Sequence, residues 1–197
     1  MKTPEDFRRD DVRSIFKRRL GADTVTLKPL SIKIQESIDY DQTLVDMSFE
    51  KSESGLIKVY SFENQPGSGF VDSIYKTCYN VFSEEHSSIK NISLVNLIVK
   101  PIFSLSRTDA KTDAKTDVAF RIETKQHGLS EFRHRSRSII YSSLVATLNA
   151  FQFYVNCDKT FKLLRFVLDD AKERKRYDIV ESCRSDMSAL TRVNNYV

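Results

Sequence analysis

The sequence predicts an α+β fold: duplicated β-β-β-α units with antiparallel sheets and helices on one side, plus flanking N- and C-terminal helices. A change of hydrophobic period is the first sign. Residues 56–62 (Leu-Ile-Lys-Val-Tyr-Ser-Phe) are rich in strand formers, with Ile57, Val59 and Ser61 on one face and Leu56, Lys58, Tyr60 and Phe62 on the other. After Pro66-Gly67-Ser68-Gly69, residues Val71, Ile74, Tyr75, Cys78 and Phe82 fall on one helical stripe. Repetition is the second sign, because residues 92–156 run through the same order of strands and then a helix. Size is the third. A chain of 197 residues holds one cored domain or two small ones. A single unit cannot bury its own apolar face, so two pack together or onto a second copy of the chain.

Residues 1–23 read as an N-terminal helix. Thr3 is placed as N-cap, Pro4 in the first turn, and Phe7, Val12, Ile15, Phe16 and Leu20 on the apolar stripe, with Gly21 ending it. Its other face carries Arg8, Arg9, Arg13, Lys17, Arg18 and Arg19, which a solvated surface explains more simply than nucleic acid does. Residues 24–156 form the duplicated region, in units of about 24–84 and 91–156. In the first unit, Val25, Leu27, Leu30, Ile32 and Ile34 mark a strand interrupted at Pro29. Residues 44–49 mark a second strand, Ser52-Glu53-Ser54-Gly55 a turn, and residues 56–62 the third strand, hairpinned to the second.

In the second unit, Ile92, Leu94, Leu97, Val99, Ile102 and Phe103 mark a strand. A polar connection follows, containing Thr108-Asp109-Ala110-Lys111 and its repeat Thr112-Asp113-Ala114-Lys115. Residues 118–122 form the next strand, Gln126-His127-Gly128 a turn, and residues 132–138 a charged strand. Ile140, Leu144, Leu148, Phe151 and Val155 then define a helix, widened by Ile139, Tyr141 and Val145. So broad a stripe calls for burial on two sides, against a sheet and a partner. Residues 157–197 read as a helical extension: a stripe of Phe161, Leu164, Val167, Leu168 and Ala171, a basic cluster at 172–176, and a polar end from Ser182 that frays or caps the fold.

Composition narrows the function classes. Apolar residues make up 40% and charged residues 29%, as in ordinary globular chains. No apolar run approaches a membrane span, and the N-terminus lacks the apolar segment of a signal peptide, so the expected setting is cytoplasmic. Three widely spaced cysteines and three scattered histidines show neither a Cys-x-x-Cys nor a paired-His pattern, so no metal or cofactor is called for. There is no nucleophile elbow and no P-loop. A net charge of +4 points only weakly to an anionic partner. Arg133, Arg135, Arg137 and the 172–176 cluster are the residues a nucleic acid would use.

The turn at residues 67–69 carries the clearest chemistry. Glycine permits positive φ and close approach to the backbone. A helix starting just after it offers unpaired N–H groups and the positive end of its dipole to a carboxylate or phosphate. A tight strand-to-helix turn without a ligand explains the same two glycines.

Three segments carry a resemblance to a known family. Gly67-Ser68-Gly69-Phe70-Val71-Asp72-Ser73-Ile74-Tyr75 resembles a Gly-x-Gly-Pro-Val-Asp-Ala segment, with Phe70 in the proline's place. Thr112-Asp113-Ala114-Lys115-Thr116-Asp117-Val118 resembles a Thr-Asp-Ala segment ahead of a fifth strand. Residues 138–150 resemble a last helix that ends in Leu-Asn-Ala, as Leu148-Asn149-Ala150 does here. In that order and spacing, residues 24–155 resemble the C-terminal regulatory, or dimerisation, domain of 2-isopropylmalate and citramalate synthases. The family's (β/α)8 catalytic barrel needs about 250 residues, so the chain cannot hold it. The barrel's Arg-Asp-Gly-x-Gln and His-x-His motifs are absent. The family's Asp before Ile-Ile is Ser138, and its Leu-Asp-Tyr is Val95-Asn96-Leu97, which removes an aromatic pocket wall.

The resemblance implies a non-enzymatic regulatory domain of leucine biosynthesis that dimerises and binds a branched-chain amino acid. By analogy, Gly67, Ser68, Gly69 and Val71 would take the effector's carboxylate. Leu94, Leu97, Pro101 and Ala114 would supply apolar walls, and Asp72 or Asp113 would meet the ammonium. Two other readings stay open: a scaffold without a ligand that joins protein chains, a synthase subunit among them, and a basic nucleic-acid-binding module. Met1 followed by a capped helix suggests a natural start, although a fragment of a full synthase fits the same match.

Overall fold

Each β-β-β-α unit folds as a three-stranded antiparallel sheet followed by a helix. The computed structural model describes residues 4–37, 42–102, 115–124, 128–194 and 196. In the first unit β1 (Thr26–Ser37), β2 (Gln42–Glu53) and β3 (Leu56–Gly67) lie in that order, and α2 (Phe70–Glu85) follows. In the second, β4 (Ile92–Ile102), β5 (Lys115–Thr124) and β6 (Gly128–Ser136) lead into α3 (Ile139–Glu173). The flanking helices are α1 (Pro4–Arg19) and α4 (Tyr177–Thr191). Among the described residues, no helix is long and apolar enough to cross a membrane. Thr3, Phe103, the repeat at 108–114 and Gln126-His127 lie outside the described residues.

The two units agree in detail. β1 skips Leu30 between Pro29 and Ser31, and β4 skips Val95 between Leu94 and Asn96. Each bulged residue precedes by four positions an equivalent pair, Ile34 with Val45 and Val99 with Val118. The interruption expected at Pro29 is thus a β-bulge, present in both units. Ser73 and Ser142, each the fourth residue of its helix, are both fully buried. Phe82 and Phe151, each the thirteenth, stack on one another at 5.8 Å with 27° between their planes. The units therefore meet at equivalent residues, and the shared core runs from Phe49 through Phe82 and Phe151 to Tyr75 and Phe120.

The β2–β3 hairpin closes through Ser54 (φ 52°) and Gly55 (φ 76°), a two-residue turn with both residues left-handed. Its strands extend to Glu53 and from Leu56, so the turn is tighter than the four residues expected. Tyr60 sits opposite Phe49, and Phe62 opposite Met47, on the face covered by α2. Ile57 and Val59 are left on the outer face, 65% and 57% exposed. A second bulge follows, where Glu63 and Asn64 oppose Asp46 alone; Asn64 is left-handed (φ 52°) and donates its N–H to Asp46 Oδ1 at 2.8 Å.

Three expectations about the C-terminal third are corrected. The boundary at 156/157 falls inside α3, which continues unbroken to Glu173. Asn156 and Asp158, on either side of that boundary, are both buried and bonded to other elements. The broad stripe of α3 is consumed within the chain: Leu144, Leu148, Phe151 and Val155 are buried, α3 packs on β5, β6, β1, α1, α2 and α4, and of the stripe residues Ile139, Ile140 and Tyr141 stay exposed. The end from Ser182 is mostly helix α4, with Cys183 and Leu190 fully buried and Asp186 bound by Arg18 and Arg19 at 2.6 and 2.7 Å.

Candidate functional site

The predicted residues Gly67, Ser68, Gly69, Val71 and Asp72 come together in the β3–α2 junction, but the backbone there differs from the expectation. Neither glycine is left-handed; Gly69 is extended (φ 176°, ψ 164°), and a Cβ on it would meet nothing within 4 Å. Gly67 is the position that excludes a side chain, since its Cβ would lie 2.6 Å from the Ser73 nitrogen and 2.9 Å from the Gly69 oxygen. The constraint is thus close approach at Gly67 and not positive φ at Gly69.

The chain's own side chains fill this junction. Asp72 accepts hydrogen bonds from the Ser68 N–H at 3.1 Å and the Ser68 hydroxyl at 3.3 Å, and pairs with Lys76 Nζ at 2.7 Å. Burial pushes the Asp72 carboxyl up, but Lys76 and the Ser68 donors outweigh it and hold the group below its usual range. Ser73 donates to the Gln65 carbonyl at 2.7 Å and pins the helix to the strand it follows. The β6–α3 junction is closed by different residues. Ser138 accepts from the Tyr141 N–H at 3.1 Å as N-cap, while Ser142 lies 2.7 Å from the Ser136 hydroxyl and 3.3 Å from His134 Nδ1.

Leu94 and Leu97 lie half-buried on the inner face of β4 and pack, with Val71, on the common core, whereas Pro101 is exposed and outside it. Tyr75 joins the two regions: its hydroxyl donates to the Ile92 carbonyl at 3.1 Å, and burial raises its pKa to about 12. Asp113 and Ala114 lie outside the described residues.

The basic residues singled out in the sequence are largely neutralised by neighbours. Arg133 pairs with Glu131 and Asp117, and Arg135 pairs with Asp117 at 3.4 Å. In the 172–176 cluster, Lys172, Arg174 and Arg176 pair with Asp169, Asp170 and Asp178. Comparison with protein-family models and with curated proteins gives no match.

Two arrangements escaped the sequence reading. The first is buried: His86 Nδ1 lies 2.9 Å from Asp158 Oδ2, which Lys162 Nζ also approaches at 2.6 Å. Burial acts to raise the Asp158 carboxyl, but His86 and Lys162 outweigh it and hold it below the usual range. This cluster ties the end of α2 to the middle of α3, and the only signal for it was an aspartate inside an apolar helix. The second is the outer edge of β3, where Leu56 (76% exposed), Ile57 and Val59 sit on a strand that pairs only with β2 among the described residues. Its signal was an apolar residue at alternate positions on both faces of one strand.

Proposed function

We propose that this chain is a non-enzymatic, cytoplasmic assembly module whose fused βββα units join protein chains, beginning with two copies of itself. The observation that carries this reading is the self-filled β3–α2 junction, where Asp72 takes the Ser68 N–H that an effector's carboxylate would need. Ion pairing of Arg133, Arg135 and the 172–176 cluster supports protein assembly over nucleic-acid binding. Light scattering on the full chain tests it, with a species of twice the 22.8 kDa chain mass expected at micromolar concentration. A 22.8 kDa species that persists up to about 100 μM overturns it.

A second reading rests on Tyr75, which draws Val71 of α2 and Leu94 and Leu97 of β4 onto one core. In that reading the resemblance to the 2-isopropylmalate synthase regulatory domain carries over, a branched-chain amino acid binds near these residues, and the partner is a synthase subunit. Leucine, isoleucine or valine at about 10 mM would then raise the melting temperature by several degrees, while glycine and aspartate would not. No shift with any of the three removes this reading and leaves the assembly module in place.

A further inference from the structure

We infer that two copies of the chain join through the free edge of β3, residues 56–62 pairing antiparallel with themselves about a two-fold axis at Val59. This rests on reading the chain as an assembly module and names the surface that does the assembling.

The hairpin fixes which backbone groups are free. In a two-residue turn closed by Ser54 and Gly55, Glu53 and Leu56 form a hydrogen-bonded pair. Pairing then alternates along the ladder, so Lys58, Tyr60 and Phe62 bond to β2. The N–H and C=O groups of Ile57, Val59 and Ser61 point outward. An unpaired edge of this length with exposed apolar side chains is a template for another strand.

Length and side-chain chemistry select one register. The hairpin turn limits the regular run at one end and the Glu63–Asn64 bulge at the other, leaving residues 56–62. Only an axis at Val59, the midpoint, pairs all seven residues with their copies. It sets Leu56 opposite the second copy's Phe62, Ile57 opposite Ser61, and Lys58 opposite Tyr60. Lys58 Nζ already lies 4.5 Å from the centre of its own Tyr60 ring, so a second tyrosine gives the cation another aromatic face. Moving the register two residues one way sets Lys58 against Lys58, a like-charge pair that is unfavourable across strands; moving it the other way carries Ile57 past the regular run to Glu63 in the bulge. The outcome is one continuous six-stranded antiparallel sheet per dimer.

Two variants test the inference. Val59→Cys places two thiols on the axis, where facing Cα atoms lie about 5.5 Å apart, within disulfide reach. The native cysteines Cys78, Cys157 and Cys183 are buried and do not compete. Mild oxidation should convert most Val59→Cys chains to covalent dimer, at least tenfold more than Phe166→Cys, a control on an exposed helix position. Val59→Pro removes only an outward N–H, so circular dichroism should match the parent, and so should melting at a dilution where both proteins are monomeric, while the dimer dissociation constant rises at least 100-fold. A parent dimer that survives Val59→Pro and gives no Val59→Cys cross-link overturns the β3 interface but leaves the assembly reading intact. A parent that is monomeric up to about 100 μM overturns both.

Discussion

Asn156 and Val25 exchange two hydrogen bonds: the Val25 N–H donates to Asn156 Oδ1 and Asn156 Nδ2 donates to the Val25 carbonyl, both at 2.8 Å. One turn earlier, Gln152 Oε1 accepts the Leu27 N–H at 2.8 Å. Two side-chain amides on α3 thus do for the start of β1 what a neighbouring strand would do. Asn156→Leu keeps the branching of the side chain and abandons both Val25 groups in a buried site. It should cost roughly 2–4 kcal/mol in urea unfolding. A loss below about 0.5 kcal/mol would show that this contact does not anchor the strand.

The two junction glycines should answer differently to substitution. Gly67→Ala forces a Cβ against the Ser73 backbone and should destabilise the protein by roughly 1–3 kcal/mol. Gly69→Ser fits open space and extended backbone, and supplies the cap that Ser138 gives α3, for a gain of a few tenths of a kcal/mol. Thermal unfolding of the pair gives the comparison; equal losses at both sites would contradict it.

Acid should act on the Asp158 cluster. A carboxylate held below its ordinary pKa stabilises the fold fully above the unfolded value of about 3.9. As pH falls below that value the unfolded chain takes up the proton first, and the contribution is lost through the depressed folded value. Urea midpoints measured from pH 6 to pH 2 should fall less steeply for Asp158→Asn than for the parent. Parallel curves would assign the acid sensitivity elsewhere.

Asp186 holds α4 to α1 through Arg18 and Arg19, and Arg19 also donates to the Ser182 hydroxyl at 2.7 Å. Asp186→Ala should cost roughly 1–3 kcal/mol, since a nearly buried acceptor of charged donors is removed. Amide exchange should quicken in α4 well before it does in β2. Uniform quickening across the chain would mean that α4 unfolds only with the whole.

The repeated unit was legible because its period changes at residue 70, from alternation to a helical stripe. The inward face of β3 was not, because Ile57 and Val59 on one side and Tyr60 and Phe62 on the other are equally apolar. Phe49, the cross-strand neighbour of Tyr60, decides it. The boundary expected at 156/157 falls inside α3 because the side-chain hydrogen bonds of Asn156 and Asp158 to distant segments leave no local trace. Helix α4 carried a usable signal in the spacing of Val180, Cys183, Met187 and Leu190, which the surrounding polar residues obscured. At the β3–α2 junction both glycines stood out, but which of them is constrained depends on Ser73 coming close across the turn.

Because α3 runs without a break from the floor of the second sheet to Glu173, it behaves mechanically as a strut. From Val155 to its far tip it spans about 27 Å at the usual helical rise. A tilt of about 5° at the sheets would swing that tip, and the α4 helix packed along it, through roughly 2 Å. Small readjustments among the strands would thus reappear, magnified, at the opposite end of the molecule.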